Sequence, residues 1–262
     1  MPLFELSAVG GPWARRLARR RAGLDRLPWN EAAPHATPEQ REAARWVWTQ
    51  IAFSEVASAA AFAEISASLL AAGAPIDLVA AAGDFVVDEV VHAELSARVA
   101  MALGGAVPLE VDLERLVRPA SGPKPLLRAA ELLVRTSCVG EALTVPVLKS
   151  AKATAGSPLI AAVLGRIVRD EAAHAELGPW FLDWAAPSLD DDDRAHLGRI
   201  AGDAVRAFAP MLSDTCSAGP SLGVLDCATF DPVFAAAVER RVARPLAARG
   251  IFLRETDRPR VS

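Results

Sequence analysis

The sequence predicts an all-α fold: a four-helix bundle carrying two additional helices at its C-terminal end. Three observations predict it. The 262-residue chain is 52% hydrophobic and rich in alanine, with few runs of β-branched or aromatic residues, a composition that favours helix over sheet. Proline and glycine punctuate the chain where long helices would start and stop. Two apolar stretches, VDEVVHAELS at 87–96 and RDEAAHAELG at 169–178, repeat acids and a histidine at helical spacing.

The elements follow in order. TPEQ at 37–40 opens the first long helix, with Thr37 as N-cap, Pro38 at the first helical position and Gln40 closing a capping box. Its apolar pattern runs to about Leu70 and stops at Gly73. APID opens a second helix near Pro75, which continues to ALGG at 102–105. SGPKP at 121–125 precedes a third, which reaches about Ala155. Ser157 and Pro158 repeat the cap-and-proline device for a fourth, ending before Pro187. A fifth starts after Ser188 and ends near Pro210, and Asp231 with Pro232 opens the last, which ends at Gly250. The linker at 104–122 is long for neighbours in a bundle and reads as a crossover. The chain thus divides into a basic N-terminal extension (1–36), a bundle (37–187) and a C-terminal helical annex (188–262) packed on it.

Charge and cysteine usage narrow the setting. A formal net charge of −4 gives no reason to expect a nucleic-acid partner. WARRLARRRAGLDR near the start is basic and SLDDDDR at 188–194 is acidic; both read as solvated faces or partner-facing segments. Cys138, Cys216 and Cys227 form no CxxC pair and leave an odd thiol, which points to a reducing compartment. The arginines of the N-terminus have no apolar stretch behind them, unlike a secretory signal. Glu64, Asp77, Asp84 and Glu89 interrupt the longest apolar region, so no membrane span is expected and the expected location is cytoplasmic.

The repeat carries the chemistry. Glu89 and His92 are about 300° apart around a helix, hence about 60° apart on one face and one turn removed, and so are Glu171 and His174. Each pair can chelate. The helix before each pair supplies one more acid, Glu55 in FSEVAS and Glu141 in CVGEAL. Four carboxylates and two imidazoles could then converge inside the bundle, the ligand arrangement of carboxylate-bridged di-iron and di-manganese proteins. Four buried carboxylates without compensation would cost several kcal/mol each, on the order of a whole domain's stability. Two divalent cations would cancel their charge. Two of the four histidines fall in these motifs.

On Glu55, Glu89-x-x-His92, Glu141 and Glu171-x-x-His174 the sequence resembles the ferritin-like di-iron carboxylate superfamily over residues 38 to about 186. The resemblance implies that Glu89 and Glu171 bridge two metals, that Glu55 and Glu141 are terminal ligands, and that each metal takes one histidine. It further implies that Asp88 and Asp170 hydrogen-bond His174 and His92 respectively, fixing their orientation. The arginine that often precedes the histidine in the oxygenase branch is missing, since Val91 and Ala173 stand there. Two iron ions are the implied cofactor, with Fe/Mn or Mn/Mn accepted by the same ligands, and O2 is the implied co-substrate.

The expectation is an O2-dependent di-iron oxidase or oxygenase that hydroxylates, desaturates or cleaves a small organic substrate, served by an external electron donor, as a monomer or homodimer. The alternative is iron storage, ferroxidase activity, or peroxide scavenging of the rubrerythrin or manganese-catalase kind. The chain has no tyrosine, which excludes a tyrosyl radical. Pro146 is expected to disturb the third helix one turn past Glu141. Thr144, one turn after Glu141, is a candidate proton relay, and Ile51, Ser58, Ser137 and Val145 are candidate pocket-lining residues.

Overall fold

The computed structural model describes residues 1–33, 35–213 and 222–257, so Cys216 lies outside the described residues. Among these residues there is no strand, only an isolated bridge between Leu3 and Glu110. Helix α1 spans Gly11–Ala18, α2 Pro38–Ala71, α3 Ile76–Ala102 and α4 Pro125–Leu133. A π-helical segment, Val134–Glu141, leads into α5, Ala142–Thr154. Then come α6 at Pro158–Ala185, α7 at Asp191–Ser213, α8 at Cys227–Ala237, a second π segment at Val238–Ala243, and the short α9 at Arg244–Ala247.

The ends of these helices obey local chemistry. Thr37 Oγ1 accepts from the Gln40 amide at 3.2 Å while Gln40 Oε1 accepts from the Thr37 amide at 3.0 Å, the reciprocal cap that starts α2. Gly73, at φ 67°, lets the chain reverse into α3. Ser157 Oγ caps α6 through the Ile160 amide at 3.3 Å and donates to the Glu31 carbonyl at 2.6 Å, tying the N-terminal extension to the bundle. α8 starts at Cys227, not at Pro232 as expected. Asp226 caps it, accepting from the Thr229 amide at 2.8 Å, and Pro232 lies inside the helix.

α2 and α3 pack along their length as one hairpin, and the α4–π–α5 rod packs on α6 as the other. The crossover between the hairpins is held at both ends. The Phe4 amide donates to the Leu109 carbonyl at 2.7 Å, and the buried Glu131 accepts from the Ser121 amide at 2.8 Å and contacts His196 Nε2 on α7 at 2.8 Å. One apolar core runs through bundle and annex alike, from Trp48, Phe62 and Leu95 to Leu197, Phe230 and Ile251. A fully buried side chain of that size stabilises the fold by roughly 1.5–3 kcal/mol.

Two expectations are corrected. Cys227 is disulfide-bonded, against the reducing setting that the cysteine usage suggested; Cys138 is free and buried. And α2 is long and apolar enough by composition to cross a membrane, with a window of mean hydropathy 1.2. Glu64 is exposed on it. In this fold α2 is a bundle helix that lies against α3 and α4.

Candidate metal centre

Glu55 on α2, Glu89 and His92 on α3, Glu141 at the end of the π segment, and Glu171 and His174 on α6 meet at mid-height of the bundle. Two groups form there: Glu55, Glu89, His92 and Glu171, and Glu89, Glu141, Glu171 and His174. Within each, one ligand atom per residue lies within 4.8 Å of all the others, close enough for a metal ion to bind between them. Glu89 and Glu171 belong to both groups, so the two sites share a wall.

Both imidazoles point Nδ1 inward. His92 Nδ1 lies 3.0 Å from Glu171 Oε1 and 3.5 Å from Glu89 Oε2; His174 Nδ1 lies 2.7 Å from Glu171 Oε2 and 3.0 Å from Glu89 Oε1. These contacts are close without being aligned as hydrogen bonds. Both oxygens of Glu89, Glu171 Oε2 and both Nδ1 atoms are buried and make none. An unsatisfied buried polar atom costs about 1–3 kcal/mol, and more when charged. Five such atoms converging on one point fit a cation between them, and an N2O-rich donor set of this kind suits iron or manganese.

The outward Nε2 atoms face aspartates from the opposite motif. Asp170 Oδ2 lies 3.3 Å from His92 Nε2, and Asp88 Oδ2 lies 3.8 Å from His174 Nε2. Phe62 and Phe85 pack on the His174 ring with centroids at 5.2 and 4.2 Å, keeping water from that side. Five of the six converging residues are buried, and Glu55 alone is partly exposed.

Burial, reinforced by Glu89 and Glu171, pushes the Glu55 carboxyl well above its usual range; burial, with Glu171 and Glu89, does the same to Glu141. Burial opposes charge on His174, but Asp88, Glu171 and Glu89 raise it to about 12, and His92 rises well above its usual value beside Asp170 and Glu171. Burial would also raise Glu171, yet His174 and His92 hold it far below the usual carboxylate range.

The local fold is bent to fit. Ser137, fully buried in the π segment, donates to the His174 carbonyl at 2.6 Å and accepts from the Gly178 amide at 2.8 Å. Those backbone groups pair with each other in an unbroken α-helix, so the hydroxyl bridges them at the turn that carries His174. Ser137 therefore binds the backbone of α6 rather than lining a pocket. The disturbance expected at Pro146 lies one turn earlier, in Val134–Glu141, while α5 runs through Pro146. Thr144 sits half-buried one turn beyond Glu141, outside both ligand groups. Sequence reasoning missed Arg166, whose Nε donates to Asp170 Oδ2 at 2.6 Å; its signal was a cation one turn before the motif aspartate.

No known protein family matches the chain, and no curated protein matches it. Among solved structures it is similar to a Synechococcus protein with aldehyde deformylating oxidase activity, at 17% identity and a TM-score of 0.58, over 82% of this chain and 96% of that one. An R2-like ligand-binding oxidase mutant with an aerobically reconstituted Mn/Fe cofactor also aligns, at 10% identity and a TM-score of 0.46, over 93% of this chain and 87% of that one, too distant to bear on the fold. The chain thus shares the fold of the Synechococcus protein, and its own paired helical hairpins enclose a central acid–histidine cluster.

Proposed function

We propose that the protein is an O2-dependent oxidase with a carboxylate-bridged dinuclear centre, two iron ions or an iron–manganese pair, acting on a small organic substrate. The observation that carries this reading is the pair of overlapping ligand groups sharing Glu89 and Glu171, with their inward atoms lacking hydrogen-bond partners inside an apolar core. Glu89 and Glu171 would bridge the ions, Glu55 and His92 would complete one site, and Glu141 and His174 the other. Bound there, the metals would supply activation of O2 and the redox equivalents, assisted by an external electron donor.

The chain's own residues set the conditions. Asp170 orients the His92 imidazole from outside, whereas Asp88 faces His174 at 3.8 Å. Phe62 and Phe85 exclude water beside His174, which keeps the oxidising chemistry from being quenched by solvent. Glu55 is the partly exposed ligand, and Ile51, Phe53 and Val56 around it are also partly exposed, so an apolar substrate would approach from α2. Thr144 is the proposed carrier of a proton to the site, one turn from Glu141. The similarity to a protein with aldehyde deformylating oxidase activity supports an oxidase of this general kind.

The test is metal loading. Ferrous ion added anaerobically is expected to bind at about two per chain, and exposure to O2 is expected to give a transient visible absorbance. Glu89→Ala and Glu171→Ala are each expected to abolish both. Wild-type protein that takes up no iron or manganese would refute the reading.

A further inference from the structure

The two halves of the centre match ligand for ligand, and they differ at one turn outside it. On α6, Arg166 stands one turn before Asp170 and donates to it at 2.6 Å; Asp170 in turn faces His92 Nε2 at 3.3 Å, within hydrogen-bond reach. On α3 the equivalent position is Asp84, an acid. Among the described residues no arginine or lysine pairs with Asp88, which stands 3.8 Å from His174 Nε2, beyond hydrogen-bond reach, and that nitrogen has no hydrogen-bond partner there. The Arg166–Asp170 pair is partly sheltered, with side chains 22% and 17% exposed, so it is screened less than a surface pair. The Arg166 guanidinium is also held from its far side, donating to the Arg20 carbonyl of the N-terminal extension at 3.4 Å.

We propose that Arg166 is a positioning residue that makes the two metal sites unequal: by fixing Asp170 against His92, it makes the Glu55–Glu89–His92–Glu171 site the tighter one, filled before the site completed by Glu141 and His174. This rests on the dinuclear reading above. The physical basis is general. A ligating histidine whose outer nitrogen is hydrogen-bonded to a fixed carboxylate is held in one tautomer and one orientation and is a better donor; loss of such an outer partner lowers metal affinity by about 10- to 100-fold. One imidazole here has that partner and the other does not.

Stepwise anaerobic titration with Mn2+, read by the electron paramagnetic resonance of the free ion, tests it. Wild-type protein is expected to bind one ion more tightly than the second. Asp170→Asn and Arg166→Gln are each expected to weaken the tighter step by about 10-fold or more and to leave the weaker step alone. Asp88→Asn is expected to change neither step by that much, and Arg166→Lys to recover part of the loss. Helical circular dichroism and the melting temperature of each variant separate misfolding from loss of positioning; if Arg166→Gln fails to fold, Asp170→Asn against Asp88→Asn decides. Two ions bound with equal affinity in the wild type, or equal effects of Asp170→Asn and Asp88→Asn, would overturn the inference while leaving the dinuclear centre standing. No binding at all would overturn both.

Discussion

Gly178 has no room for a side chain. A Cβ built there would lie 2.4 Å from Cys138 Sγ and 3.1 Å from Ser137 Oγ, because the π segment presses directly onto α6 at the turn bearing His174. Gly178→Ala is therefore expected to destabilise the protein by about 1–3 kcal/mol, seen as a lower melting temperature, and to reduce the metal retained per chain as His174 is pushed out of register. A melting temperature equal to the wild type's would show that the helices can separate without cost. The residues that converge were legible in the sequence, since Glu-x-x-His sets two side chains on one helix face and a further acid stands on the preceding helix. Ser137 was less legible: a small polar residue one turn before a ligand looks like a pocket wall, and only the structure shows its hydroxyl bonded to the backbone of another helix. Arg166 was hidden for a related reason, because the sequence does not say which of several exposed-looking arginines turns toward Asp170.

Helix boundaries were legible where a side chain does the capping. Thr37, Gln40, Ser157 and Gly73 act as their types suggest. The start of α8 was misread because two Asp caps compete within six residues, and Asp226, the one whose carboxylate reaches an amide, prevails. Pro146 signalled a disturbed helix but not its place, since the π segment precedes it at Val134–Glu141 and α5 runs through the proline. The crossover between the two hairpins gives an element-scale prediction. Glu131 is fully buried and gathers the Ser121 amide, the Ser121 hydroxyl and His196 around one carboxylate. Glu131→Ala leaves those groups without their acceptor, and each such loss costs about 1–3 kcal/mol. The expected result is a marked drop in the urea midpoint with about two metals per chain still bound at low temperature. An unchanged midpoint would mean that the crossover is held elsewhere, for instance by the Phe4–Leu109 pairing.

At the scale of the whole molecule, the centre couples stability to metal and to pH. In the metal-free protein, Glu55, Glu141, His92 and His174 all hold protons more tightly folded than unfolded. A raised folded pKa contributes stability that is complete below the unfolded value and lost as pH rises toward the folded one. The carboxylates begin to lose theirs above about pH 4.5 and the histidines above about pH 6.5, with His174 continuing toward about 12. Glu171 is lowered, so its contribution is lost only under acid. Chelator-treated protein is therefore expected to melt at progressively lower temperature from about pH 6 to about pH 9, and metal-loaded protein to be much less sensitive, because the cations replace the protons. Scanning calorimetry of both forms across that range checks it; parallel curves would show that the proton-holding cluster does not form without metal.

The division of Glu89 and Glu171 between both ligand groups has one more consequence. Two separate pockets could be lost, retuned or exchanged one at a time. Under the proposed reading, a change in either shared acid would disable both metal sites at once, so the pair could be retuned only at its outer corners, Glu55 with His92 on one side and Glu141 with His174 on the other.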